Sequence, residues 1–498
     1  MPTMKLSLLS VARPLVGAVL SAFLVQHLPP LQAQPVGIPE LGDASAAVLS
    51  PMVERKIGEV IMSDASRDPS YIDDPELGQY LTDMGRRLAS HLSLTHPVQV
   101  FPVNDSSINA FAMPGGFIGI HTGLVAAAQT ESELAGVVAH EIGHVSQRHI
   151  ARGLVQQKQD SLIMMAALLA AMVAARGSSQ APEAALAFGQ AMALDSQLGF
   201  SREAEREADR TGYQLLEAAG YDVQGMPDFF GRMMRATGAN ERTSSAFLRT
   251  HPLSIQRMSD MQNRSRGASV KPASDSPDFH LVKAKMRVMQ ARDGRAVMGM
   301  ANLWEKNAES LQGWEQVAAY YGAAYGWLRQ RDAQKAEALL QQAVSGVRMH
   351  PMLSTLAVEI ALLKGDTDEA VRVAQQAVAS WPDRQGPAFA YVNSLQRAQR
   401  HQEAVRFLET LTHGEADEPR YYRMLAESHA ALKHDVPERV NMGEYYARVG
   451  ALPAAIEQFQ QARTLSKDFY QQSTLDARLS MLRRQMQQDR DLLRPFER

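Results

Sequence analysis

Behind Asp74-Pro75-Glu76, apolar side chains recur every three to four residues at Leu77, Tyr80, Leu81, Met84 and Leu88, which predicts an amphipathic helix. The period then changes. Val98–Val103 alternates as a half-buried strand does, Asn109–Gly116 is rich in turn residues, and Phe117–His121 reads as a second strand. Thr130-Glu131-Ser132-Glu133 is a capping box, in which the Thr130 hydroxyl accepts from the Glu133 amide and the Glu133 carboxylate reaches back. The helix it opens carries Leu134, Val137, Val138, Ile142 and Val145. A further apolar run, Leu162–Ala175, has 14 residues, fewer than the about 20 that cross a bilayer. It predicts a buried or lid helix, with peripheral membrane contact as the alternative, and Gly177-Ser178-Ser179 follows as a loop.

Apolar spacing stops at Gly267–Asp278, where Ser, Pro, Lys and Gly cluster as a linker. Beyond it the pattern is helical and it repeats. Ala336 to Ala370 and Ala370 to Ala404 are both steps of 34 residues, and Ala404 to Ala455 is 51, which suggests an insertion around His434–Arg439. Gly443, Tyr446, Ala455, Phe459 and Ala462 follow the small–aromatic order of a tetratricopeptide repeat. Such helix pairs bury their faces by stacking and leave a concave surface.

At the other end, Lys5 and Arg13 precede an apolar stretch from Leu15 to Val25, then Pro29-Pro30 and Ala33. That is the order of a secretory signal peptide, predicting export to the periplasm. The remaining composition mainly excludes. With 51 basic against 54 acidic residues there is no excess positive charge for a nucleic-acid partner. Cysteine is absent, so thiol catalysis and Cys-ligated zinc are ruled out, and any metal must be held by His, Asp or Glu.

His140-Glu141-Ile142-Gly143-His144 matches H-E-x-x-H on the helix opened by Thr130. Four residues are about one helical turn, so both imidazoles project from one face and can share a zinc ion, with Glu141 beside its water. A third protein ligand is needed. His149 is out of register and is expected to face elsewhere on the helix, which leaves the carboxylates of Ser201–Asp209. Glu205 and Asp209 share one face there and Glu203 and Glu207 another; periodicity does not choose between the pairs.

Asn109–Gly116, His140–His144 and Glu205-Arg206-Glu207-Ala208-Asp209, in this order, resemble the gluzincin metallopeptidases of the CAAX prenyl endopeptidase family. The leader and the repeats resemble, within it, the periplasmic group of proteases that enhance β-barrel assembly. The resemblance implies an α+β, mainly α, fold: a zincin-type metalloprotease domain over 34–266 with a small edge-strand sheet, after a signal peptide over 1–33. A linker over 267–279 and an α-helical tetratricopeptide-repeat solenoid over 280–498 would follow. It also implies one zinc ion per chain on His140, His144 and Glu205, with Asp209 in support and Glu141 as general base. Phe117–His121 with the preceding Pro-Gly-Gly turn would be the edge strand beside the metal. His251, in Arg249-Thr250-His251-Pro252, would fill the open metal position at rest or polarise the scissile carbonyl, unless it only packs or caps. The implied partners are unfolded or misassembled envelope proteins and the outer-membrane assembly machinery. The alternative is a chaperone or scaffold with a latent or structural zinc site.

Overall fold

The computed structural model describes residues 49–156, 201–238, 246–266, 274–345, 347–413 and 418–493. The leader, the Leu162–Ala175 run with its following loop, and residues 267–273 of the linker lie outside them.

Helices α1 (Pro51–Ala65) and α2 (Pro75–Ala89) each begin with a proline at the first helical position, where a missing N–H costs nothing. Ser50 caps the first, and Asp74 caps the second by accepting from the Glu76 and Leu77 amides at 3.0 and 3.1 Å. The sheet comprises β1 (Gln99–Val103), β2 (Ala110–Met113) and β3 (Phe117–His121), in the order β1-β3-β2. β1 runs parallel to β3, pairing Gln99 with Phe117, and β2 runs antiparallel to it, pairing Phe111 with Gly119. Phe117–His121 is therefore the central strand, and the expectation that it forms the edge is corrected. The edge beside the following helices is Ala110–Met113, inside the stretch read as turn. Only four residues long and buried throughout, it has no polar alternation to betray it. The turn is confined to Pro114-Gly115-Gly116, with the two glycines at φ of 79° and 87°, which suit glycine.

After α3 (Thr122–Ala127), α4 (Glu131–Ser146) carries the H-E-x-x-H motif. Thr130 caps it as expected, accepting from the Glu133 amide at 3.2 Å. The Glu133 carboxylate reaches one residue further back, to the Gln129 amide at 2.5 Å, and Arg232 also holds it. Helices α5 (His149–Gln156), α6 (Arg202–Ala218), α7 (Gly225–Gly238), α8 (Ala246–Thr250) and α9 (Ile255–Ser265) complete the part of the chain around the sheet.

From α10 (Pro277–Met289), whose start falls inside the expected linker, the chain is helical: α11 (Gly294–Ala308), α12 (Gly313–Arg329), α13 (Ala333–Val344), α14 (Pro351–Lys364), α15 (Thr367–Ser380), α16 (Gln385–Arg397), α17 (His401–Thr412), α18 (Pro419–Ala431), α19 (Asp435–Arg448), α20 (Leu452–Leu465) and α21 (Phe469–Leu493). Ala336, Ala370, Ala404 and Ala455 are fully buried, each in the second helix of a pair. There a larger side chain would push the partner helix away. Left-handed residues Arg331, Gly365, Gln399, Lys433 and Gly450 close the turns. The extra residues between Ala404 and Ala455 form helix α18 rather than an insertion around His434–Arg439, a stretch that opens α19. A helix of 13 residues with its turn is invisible to an alanine spacing rule because it adds a complete element.

Described residues of both parts belong to one compact unit, and one apolar core runs from Ile72 through Phe230 and Phe279 to Ile360. Repeat helices grip the amino end of α2. Lys285 Nζ lies 2.6 Å from Asp74 and 2.7 Å from Glu76, and Arg420 lies 2.9 Å from Asp73. Gln79 donates to the Asp383 carbonyl at 2.9 Å. No helix among the described residues is long and apolar enough to cross a membrane.

Candidate functional site

α4 and α6 pack closely because glycines face the contact. A Cβ on Gly143 would come 2.8 Å from the Cα of Ala208, and one on Gly212 would come 3.0 Å from the His140 amide. That approach brings Glu205 and Asp209, rather than Glu203 and Glu207, under the two motif histidines. His140 Nε2 and His144 Nε2 are 3.1 Å apart, and each is 3.5 Å from an oxygen of Glu205. His251, at the end of α8, adds its ring: Nδ1 is 3.1 Å from Glu205 Oε1, and Nε2 is 3.6 Å from Glu141 Oε1. One donor atom from each of His140, His144, Glu205 and His251 lies within 4.8 Å of the others, and all four residues are buried. Two ligands about 2.1 Å from a tetrahedral ion sit about 3.4 Å apart. The His140, His144 and Glu205 spacings fit that figure, and the nitrogen and carboxylate donors suit zinc.

Around the donors is a ring of supporting groups. His140 Nδ1 is 3.0 Å from Asp209 Oδ1. Arg257 grips Asp209 with Nε and Nη2 at 2.7 and 2.8 Å, and its Nη1 is 2.7 Å from Glu205. Phe247 stacks on His251 with ring centroids 4.5 Å apart, and Phe230 meets the His140 ring edge-on. Burial opposes protonation of His140, yet Asp209 and Glu205 outweigh it and push the ring up to about 9. His144 goes the other way, held well below its ordinary value by burial. Burial also pushes the Glu141 carboxyl up, while His251, His140 and the backbone of Ala112 partly offset it. Burial would raise Glu205 and Asp209 too, but the histidines and Arg257 hold both below the ordinary carboxylate range.

Every residue singled out from the sequence, His140, Glu141, His144, Glu205, Asp209 and His251, is in this cluster. Two others were missed. Arg257 had a signal: it lies on the stripe of α9 that also buries Met258, Met261 and Ser265, where a charge without a partner would be costly. His149 had none, and its expected place is corrected. α4 ends at Ser146, and Arg148 takes a left-handed φ of 51°, so the chain folds back and sets His149 Nδ1 2.9 Å from His144 Nδ1.

The family model of peptidase family M48 matches residues 75–265, and a tetratricopeptide-repeat model matches 361–427. The β-barrel assembly-enhancing protease of Escherichia coli K12 is 30% identical over 475 residues, covering 94% of this chain and 96% of its own. The protein of that name from Yersinia pestis is 29% identical, over 90% of this chain and 92% of its own. Metalloprotease LoiP of Escherichia coli K12 is 27% identical, over 39% of this chain and 73% of its own. These likenesses do not support the narrower CAAX prenyl endopeptidase label. With its H-E-x-x-H helix, buried His and Glu donors and a near-full-length relative, the chain belongs to peptidase family M48 and is a metallopeptidase whose catalytic part is followed by tetratricopeptide repeats.

Proposed function

We propose that the protein is a zinc-dependent endopeptidase of the periplasm, hydrolysing peptide bonds of unfolded or misassembled outer-membrane proteins. The observation that carries this reading is the buried Glu141 carboxylate beside the convergent donors of His140, His144 and Glu205. The periplasmic setting rests on the leader pattern of Lys5–Ala33, and the client class on the printed name of the near-full-length relatives.

A zinc ion on His140, His144 and Glu205 would supply Lewis acidity, lowering the pKa of a coordinated water to about 7 and polarising the scissile carbonyl. Glu141 takes the proton of the attacking water and returns it to the leaving amine; burial, by raising its pKa, makes it a better proton acceptor. The substrate backbone lies along Ala110–Met113. Asn109 pairs with β3, its carbonyl accepting from the His121 amide at 3.1 Å, so strand alternation turns the Ala110 and Ala112 backbone groups away from β3. Asp209 holds the His140 ring, and Arg257 holds Asp209.

A second reading, a scaffold with a latent site, is favoured by one observation: His251 stands among the donors as a fourth candidate ligand. Zinc content and cleavage of an unfolded protein, measured for wild type and Glu141→Gln, test the first reading. One zinc in both proteins, with cleavage only in wild type, is expected. Metal-dependent cleavage that persists in Glu141→Gln sinks the assignment of the base. Zinc without cleavage in wild type, followed by cleavage in His251→Ala, establishes latency.

A further inference from the structure

His149 is buried, carries an imidazole, and takes no part in the chemistry described above. On a continuous helix it would lie about 140° around the axis from His144. Arg148 prevents this. Its left-handed backbone ends α4, and its guanidinium is tied to the Glu54 carboxylate at 3.2 Å and to the Leu49 carbonyl. α5 then begins at His149 with the ring edge against His144, centroids 4.9 Å apart.

The nitrogens form a directional chain. His144 Nδ1 and His149 Nδ1 are 2.9 Å apart, and His149 Nε2 is 3.0 Å from Glu207 Oε2. Arg152 holds the same Glu207 oxygen at 2.7 Å. A histidine that offers Nε2 to a metal keeps its hydrogen on Nδ1. Here that hydrogen has an acceptor in His149 Nδ1, which leaves the hydrogen of His149 on Nε2, pointing at Glu207. The two motif histidines are thus oriented by different devices: His140 by Asp209 directly, and His144 through a second imidazole to a carboxylate. This also gives Glu207, on the face of α6 away from Glu205, a purpose.

We propose that His149, held by Glu207, is a positioning residue that fixes the tautomer and ring orientation of His144 for the metal. The proposal rests on the reading of the cluster as a zinc site. Partners of this kind typically change metal affinity by about 10–100-fold.

The test is zinc affinity, measured by competition with a chromophoric chelator, on the full chain carrying His149→Leu, His149→Asn or Glu207→Gln. Thermal denaturation of the zinc-free proteins runs alongside. The Asn amide oxygen takes the place of Nδ1 and accepts from His144, whereas Leu fills the same space without an acceptor. We expect about a 10–100-fold loss in His149→Leu, recovery of most of it in His149→Asn, and a smaller loss in Glu207→Gln. Nitrogen NMR of the zinc-loaded wild type should show His144 protonated on Nδ1. Equal affinities for wild type and His149→Leu overturn the proposal, and so does an equal loss in Leu and Asn, which would mean packing alone. If His149→Leu does not fold, wild-type affinity in Glu207→Gln together with loss in His149→Asn overturns it. Failure of wild type to bind zinc would instead overturn the metal-site reading.

Discussion

Gly143, inside the H-E-x-x-H motif, lies against Ala208 of the acidic helix so closely that a Cβ would come 2.8 Å from both the Cα and the carbonyl oxygen of Ala208. The obstacle is backbone, which cannot swing aside. Gly143→Ala should therefore push α6 outward and take Glu205 and Asp209 with it. Overpacking of this kind costs about 1–3 kcal/mol. We expect a drop in stability by chemical denaturation and a parallel drop in zinc affinity; unchanged zinc affinity would show that the helix spacing does not set the site.

Arg257, itself buried, neutralises two buried carboxylates. Arg257→Met takes the guanidinium away from both Asp209 and Glu205, and breaking a buried pair by removing one partner costs about 3–5 kcal/mol. The zinc-free variant should unfold at a markedly lower denaturant concentration than zinc-free wild type. Equal midpoints would mean that the carboxylates are stabilised some other way.

Metal removal separates ligands from the base. A ligand that binds only the folded state adds about 4 kcal/mol at a thousand times its Kd. Chelation should thus lower the Tm of wild type and of Glu141→Gln alike, since Glu141 is assigned no metal bond. In Glu205→Ala, zinc should no longer raise Tm. A zinc-dependent rise of wild-type size in Glu205→Ala would remove it from the ligand set.

The junction between the sheet-containing part and the repeats should be acid-sensitive through Asp74. Burial would raise this carboxyl, but Lys285 at 2.6 Å and the amides of Leu77 and Glu76 overcome that and hold it below its ordinary value. A carboxyl depressed in the fold contributes stability above the unfolded value of about 3.9 and loses it as pH falls towards the folded value. Lys285→Met removes the cause, so the fall of stability between about pH 5 and pH 3 should be shallower than in wild type, on a lower overall stability. An unchanged slope would place the acid sensitivity elsewhere.

Much of this architecture is written in short-range pattern. Asp74, Thr130 and the H-E-x-x-H spacing act within one or two helical turns, so their consequences follow from local geometry, and α2 and α4 begin where the caps say. The 34-residue alanine step works in the same way, because each repeat demands a small residue at the same crossing. The choice of Glu205 over Glu203 is different. Both lie on a legible helix, and only the approach of α6 to Gly143 decides which face meets the histidines. Ala110–Met113 as the sheet edge, Arg257 as the clamp on Asp209, and the return of His149 to His144 depend on chain segments separated in sequence or on one left-handed residue. Periodicity carries information along one element; it carries none about which elements come within hydrogen-bonding distance, and close packing of backbone settles that in the folded chain.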